Sequence, residues 1–157
     1  MKFYTSYYGA MREIPDNYLC IGISRSVPFI DRDNFVSGEP YSRFAPPYDL
    51  LNDFKAGRET EDGYKRRYVK HILSQFTQYT LPPFLDAIVD FAKQDKYDAI
   101  VFMCYEKTGD FCHRHIFSKL LKLLCGIECN ELELKHEHSG VVLLNDEGKE
   151  LTETELF

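Results

Sequence analysis

Asp98-Ala99-Ile100-Val101-Phe102-Met103-Cys104 is one acid followed by an unbroken apolar run that does not alternate. A strand with one wet face alternates apolar and polar side chains, whereas a continuous run is expected where both faces of a sheet are covered by helices. The stretch predicts an inner strand of a mostly parallel sheet. Two further strands precede it. Lys2 to Tyr8 is rich in aromatic and β-branched residues and stops at Gly9. Tyr18-Leu19-Cys20-Ile21-Gly22-Ile23 ends in Ser24-Arg25, shortly before Pro28.

Helical patterns lie between and after these strands. Tyr48 to Lys55 reads as a short helix, and a longer one begins near Glu61, with Val69, Ile72, Leu73 and Phe76 at helical spacing. Pro82 and Pro83 open another, whose buried stripe is expected at Phe84, Leu85, Ile88 and Phe91. Phe111 to Cys125 follows the inner strand, turns Ile116, Phe117, Leu120, Leu121 and Leu124 inward, and stops at Gly126. Glu131-Leu132-Glu133-Leu134-Lys135 alternates like an edge strand, to which Val141 to Leu144 can pair. Alternating strands and helices predict an α/β fold, a mostly parallel sheet flanked by helices. With no repeat, low-complexity tract or linker, residues 1–157 read as a single domain, with a loosely held acidic tail from about 145 to 157.

Composition narrows the function classes. The 157 residues carry 19 basic and 25 acidic side chains, a net charge of −6, which argues against a broad nucleic-acid-binding face but not against a small cationic pocket. The opening residues lack the long apolar stretch of a signal peptide, and no run reaches the length of a membrane span. Five cysteines without a regular framework predict reduced thiols and a cytoplasmic protein.

In open parallel sheets, ligands bind beyond the carboxyl ends of the strands. Here those ends are Ser6-Tyr7-Tyr8-Gly9, Ser24-Arg25 and Cys104-Tyr105-Glu106-Lys107. The densest chemistry runs from Cys104 to His115, across a strand end, a polar loop and a helix start. Asp110 is the expected N-cap. Arg114 and two histidines then crowd the positive end of a helix dipole, which prefers acids. Either an anion sits there, held by free N–H groups and Arg114, or Asp110 and Glu106 neutralise the cluster internally. Cys112 at this position is either an activated thiolate or a small buried hydrophobe. Cys104 ends the inner strand and can lie near Cys112.

Cys104-x7-Cys112 with His113 or His115, Cys125-x3-Cys129 and His136-x-His138 all offer soft ligands. None has paired Cys-x2-Cys zinc spacing, so no metal centre is expected. Lys65 to His71 is a basic helical stretch, more in keeping with a solvated face than with phosphate contacts.

At these residues the chain resembles the DUF488 family, small proteins named for their unknown function. Cys104, Glu106 and Cys112-His113-Arg114 match its apolar strand ending in Cys, its Glu and its Cys-His-Arg at a helix start. Ile23-Ser24-Arg25-Ser26-Val27-Pro28 resembles the family's second-strand end, with Ser24 standing where an acid is usual. Phe44 to Leu50 and Tyr64 to Leu73 resemble its middle helices. The resemblance spans roughly residues 1–125 and implies a Rossmann-like fold, without an activity.

The residues together read as an enzyme that binds a small anionic ligand, a nucleotide or phosphate ester. Cys112 is the nucleophile, with His113 and Glu106 as acid/base groups. Arg114, Arg25 and Lys107 bind the anion, and Cys104, His115, Ser6 and Tyr7 support the site. A non-catalytic module sensing a ligand in the same pocket is the alternative, and a nucleic-acid-associated protein using Lys65 to His71 is the third reading. No cofactor is named by the sequence.

Overall fold

In the computed structural model, which describes residues 1–107, 109–134 and 146–148, five strands form one sheet. They are β1 (Lys2–Tyr7), β2 (Tyr18–Gly22), β3 (Phe35–Val36), β4 (Ala99–Cys104) and β5 (Cys129–Glu131). Their order is β3-β2-β4-β1-β5, and every pairing is parallel. The unbroken apolar run is the central strand, and all six of its residues are buried. Ile100 and Phe102 join one core cluster, while Val101 and Met103 join a second on the opposite face. This is why the run does not alternate.

Four helices supply the larger cluster: α1 (Tyr48–Lys55), α2 (Glu61–Gln75), α3 (Leu81–Gln94) and α4 (His113–Cys125). Phe44 sits among them, with ring centroids 4.6 Å from Phe117, 5.4 Å from Phe76 and Phe84, and 6.1 Å from Phe102. The second face has a thinner cover, Tyr8 and Met11 from a 3-10 helix (Tyr8–Glu13), Ile14, and half-buried residues that include Leu132 and Leu134. The chain is a single α/β domain of Rossmann-like type.

Helix boundaries follow local chemistry. Thr60 Oγ1 accepts the Gly63 amide at 3.0 Å and caps α2. Pro82 and Pro83 lie in the first turn of α3, where an N–H has no helical partner to lose. Gly126 adopts φ +68° and ends α4, its amide donating to Lys122 O at 3.0 Å.

Three expectations about buried faces change. On α2 the buried residues are Tyr64, Tyr68 and Ile72, while Leu73 is 47% exposed. Tyrosines carry this face because a buried hydroxyl finds a partner; that of Tyr68 donates to Phe44 O at 2.6 Å. On α3, Leu85 and Ile88 point inward as expected, but Phe91 is 40% exposed. On α4, Phe117, Leu120 and Leu121 are buried, whereas Ile116 and Leu124 are only half-buried.

The last strand is shifted as well. It covers Cys129–Glu131 and runs parallel to β1, with Leu132 N still donating to Thr5 O at 2.8 Å. The alternation beyond Glu131 reflects the packing of Leu132 and Leu134 on the second cluster. The Val141 to Leu144 pairing, and all but residues 146–148 of the acidic tail, fall outside the described residues. Among the described residues no helix is long and apolar enough to cross a membrane.

Candidate functional site

The site forms where β2 and β4 end. Beyond β2, Ile23 N donates to Met103 O at 2.9 Å, carrying the pairing one residue further. Ser24 then turns the chain. Its hydroxyl donates to Ser26 O at 2.7 Å and accepts from Tyr8 Oη at 2.5 Å. Burial pushes the Tyr8 hydroxyl up to about 12, so it stays a neutral donor. The turn presents Arg25, half-buried, whose Nε donates to Pro46 O and Nη2 to Ala45 O, both at 3.1 Å. Its guanidinium also lies 5.5 Å from the Tyr48 ring centroid. Arg25 is therefore pinned along one edge, and no other partner holds its remaining N–H groups among the described residues.

The N-cap of α4 is Cys112, extended at φ −152° and ψ 145°, with no side-chain cap bond. Asp110 does not cap the helix. It lies two residues too early, in a turn where its amide donates to Lys107 O at 3.0 Å. His113 is the first helical residue and is buried. Its Nε2 lies 2.8 Å from Ile23 O, and since a carbonyl only accepts, Nε2 carries the proton. The lone pair is then on Nδ1, which lies 3.9 Å from Cys112 Sγ. Burial, with Arg114, His115 and Arg25 adding like charge, depresses this imidazole to about 4, so it is neutral near pH 7.

Arg114 requires the main correction. Expected to clamp an anion, it is 0% exposed and held by partners within the protein. Nε and Nη2 form a bidentate pair with Glu131 at 3.1 and 2.7 Å, while Nη1 donates to Glu106 O at 2.6 Å and meets Cys104 Sγ at 3.1 Å. Glu131 also accepts from Thr5 Oγ1 at 2.7 Å, which fixes it on the sheet edge. Internal neutralisation thus resolves the charge conflict, but through Glu131. Glu106 contributes its main-chain carbonyl to Arg114, and its carboxylate faces elsewhere, with Oε2 3.5 Å from Cys104 Sγ.

The cysteines are not all free. Cys104 and Cys112 are paired as a disulfide, their Cα atoms 7.6 Å apart, while Cys20, Cys125 and Cys129 remain thiols. Burial pushes Cys20 and Cys129 up to about 12, which keeps them inert. Although the spacing argued against a metal centre, Cys104, Cys112 and His113 bring three donor atoms within 4.8 Å of one another.

Beside these groups lies a cavity of about 260 Å³. Ser24, Arg25 and Ser26 line it from the β2 end, Phe54 and Lys55 from α1, and Tyr64 from α2. Tyr105, Glu106, Phe111, Cys112 and His113 complete it from the turn after β4 and the start of α4. Of the residues singled out from the sequence, Cys112, His113, Glu106 and Arg25 meet here. Cys104 stands behind Cys112. Lys107 does not line the cavity, and Ser6 and Tyr7 are buried in β1 beside Met103 and Cys104. His115 faces another groove, between α2 and α4, together with Lys65 and Lys119.

The basic stretch on α2 is largely a solvated face. Arg67 pairs with Asp53 at 2.9 Å and Glu59 at 3.1 Å, and Lys65 lies 3.9 Å from Asp62. The sequence placed Tyr8 and Ser24 at strand ends facing a ligand without giving either a role, and sequence reasoning missed Phe54, Tyr64 and Phe111 as parts of the site. The signal for Ser24 was present, a short polar side chain at a strand end where a turn must form.

No curated protein and no solved structure matches the chain. A family model, DUF488-N3a, described as the active DUF488-N3 subclade, matches residues 4–123, from β1 into α4, and the chain belongs to the DUF488 family.

Proposed function

We propose that this protein is a thiol-dependent enzyme acting on a small planar anionic ligand of the nucleotide or phosphate-ester class. The observation that carries the reading is the single orientation left to His113. With Nε2–H committed to Ile23 O, its Nδ1 lone pair faces Cys112 beside an aromatic cavity. Once a cellular thiol reductant has opened the disulfide, the Cys112 thiol passes its proton to Nδ1 as the sulfur attacks an electrophilic centre of the ligand. The bond to the leaving group breaks, and that group departs with the electron pair and takes the proton from Nδ1. The positive end of α4 stabilises the developing thiolate. Tyr64, Phe54 and Phe111 supply flat apolar surface for a ring, and Arg25 supplies the charge for an anionic group. Glu106 is the second acid/base group, on the same cavity.

The word "active" in the description of the matching family model favours an enzyme over a ligand sensor. The chemistry requires a reducing compartment such as the cytoplasm, because it uses the reduced form of Cys112.

The test is alkylation of reduced protein with iodoacetamide, mapped residue by residue, alongside turnover on a panel of nucleotides and phosphate esters. Cys112 is expected to label faster than Cys125, whose thiol burial pushes up, and Cys112→Ala is expected to abolish turnover while ligand still binds. Equal labelling of the two cysteines, with activity surviving in Cys112→Ala, sinks the nucleophile role.

A further inference from the structure

We infer that reduced Cys104 and Cys112, together with His113, form a binding site for a thiophilic divalent ion, Zn²⁺ in the first instance, whose fourth position faces the cavity. Three protein donors with an open position is the pattern of a reactive zinc site, whereas structural zinc sites are closed by four. In the disulfide-linked form the three donor atoms lie within 4.8 Å of one another, and reduction frees the two sulfurs to separate around an ion. The 3.9 Å between Cys112 Sγ and His113 Nδ1 is close to the roughly 3.5 Å edge of a tetrahedron built on zinc–sulfur and zinc–nitrogen bonds.

The surroundings fit the same ion. A metal-bound histidine donates its other ring N–H to a carbonyl or carboxylate, which fixes the ring and its tautomer. His113 Nε2 already does so with Ile23 O at 2.8 Å, leaving Nδ1 as its ligand atom. Cys104 Sγ has Arg114 Nη1 at 3.1 Å, a charged donor suited to a thiolate. Because Glu131 neutralises that guanidinium, the donor does not repel a dication as a bare arginine would. Glu106 Oε2, 3.5 Å from Cys104 Sγ, is within reach of the fourth position.

Binding is written as two thiols plus Zn²⁺ giving a dithiolate–zinc centre and two protons released to solvent. The disulfide has no thiolate to offer, so oxidation and ion binding exclude each other. This inference goes beyond the nucleophile reading and does not rest on it. Where both hold, the ion ties up the Cys112 sulfur.

The experiment uses the full chain, reduced with a phosphine and kept free of oxygen. Equimolar Co²⁺ is expected to produce thiolate-to-cobalt charge-transfer absorption with tetrahedral visible bands, and one equivalent of Zn²⁺ to bleach them. In parallel, Zn²⁺ at about ten times its Kd is expected to slow alkylation of Cys104 and Cys112 about tenfold, the inverse of the unoccupied fraction. Cys125 serves as the unprotected control. Cys112→Ser is expected to lose the charge-transfer band, and the protection measurement on wild-type protein needs no variant to fold. Absence of that band with wild type, or unchanged alkylation of Cys104 and Cys112 under Zn²⁺, overturns the site. Fast Cys112 labelling that Zn²⁺ fails to slow leaves the nucleophile reading standing alone. Protection without fast labelling leaves the ion site standing alone.

Discussion

Arg114 and Arg25 both lie near the Cys112–His113 step, and they have opposite fates. Arg114 is sealed in the protein with all three guanidinium nitrogens engaged, two of them by one carboxylate from the sheet edge. Arg25 stands on a turn, held by two main-chain carbonyls, and no carboxylate pairs with it among the described residues. A carbonyl orients a guanidinium without cancelling it, whereas a bidentate carboxylate does both. Position next to the Cys112–His113 step therefore does not reveal which cation is open to solvent. The partner reveals it.

The widest contrast lies in stability. Arg114→Ala takes the cation from Glu131 and breaks a buried pair, so it is expected to lower the unfolding free energy by about 3 to 5 kcal/mol in urea titration. Glu131→Ala added to Arg114→Ala should cost less than Glu131→Ala alone, since the pair with Arg114 is already gone while the Thr5 bond is still there to lose. A loss as small as that of a surface substitution would mean the corner is not closed.

Next comes pH. His113 is depressed to about 4 in the fold from 6.5 unfolded, so between these values the unfolded chain binds the extra proton. Stability is then full above about pH 6.5 and falls as pH drops toward about 4, by an amount on the order of 3 kcal/mol. Carboxylates add to acid unfolding, so the check is a difference: folded His113→Gln should show a flatter profile across that window. Equal slopes would remove His113 from the account.

Ser24→Ala leaves the Tyr8 hydroxyl without its acceptor at the turn carrying Arg25, and should cost about 1 kcal/mol. Smallest of all, Arg25→Ala should change stability by less than about 1 kcal/mol, because only two exchangeable hydrogen bonds are lost. The same variant should weaken binding of a nucleoside monophosphate about tenfold or more by calorimetry, the loss expected for a charged hydrogen bond. Unchanged affinity there would erase the functional half of the contrast.

What was legible in the sequence was local. The β4 run, the stop at Gly126 and the clustering of Cys104, Glu106, Cys112 and His113 all depend on neighbours a few residues apart. The partner of Arg114 was not legible, because Glu131 lies 17 residues away and reaches it only through the parallel β1–β5 pairing. Asp110 looked like a cap from composition, yet the helix starts later, since the turn at Lys107 to Asp110 closes first. The aromatic cavity was hidden for a different reason. Phe54, Tyr64 and Phe111 come from three separate segments, and each alone reads as core.

The bond from His113 Nε2 to the Ile23 carbonyl also sets the traffic of protons. A carbonyl oxygen cannot carry a hydrogen onward, so the imidazole has no rear exit to bulk water. In the proposed reaction, whatever enters at Nδ1 must leave at Nδ1, either back to sulfur or onto a departing group on the same side. Attack and departure would then share one face of the ring, which restricts substrates to those whose leaving atom swings past the cysteine.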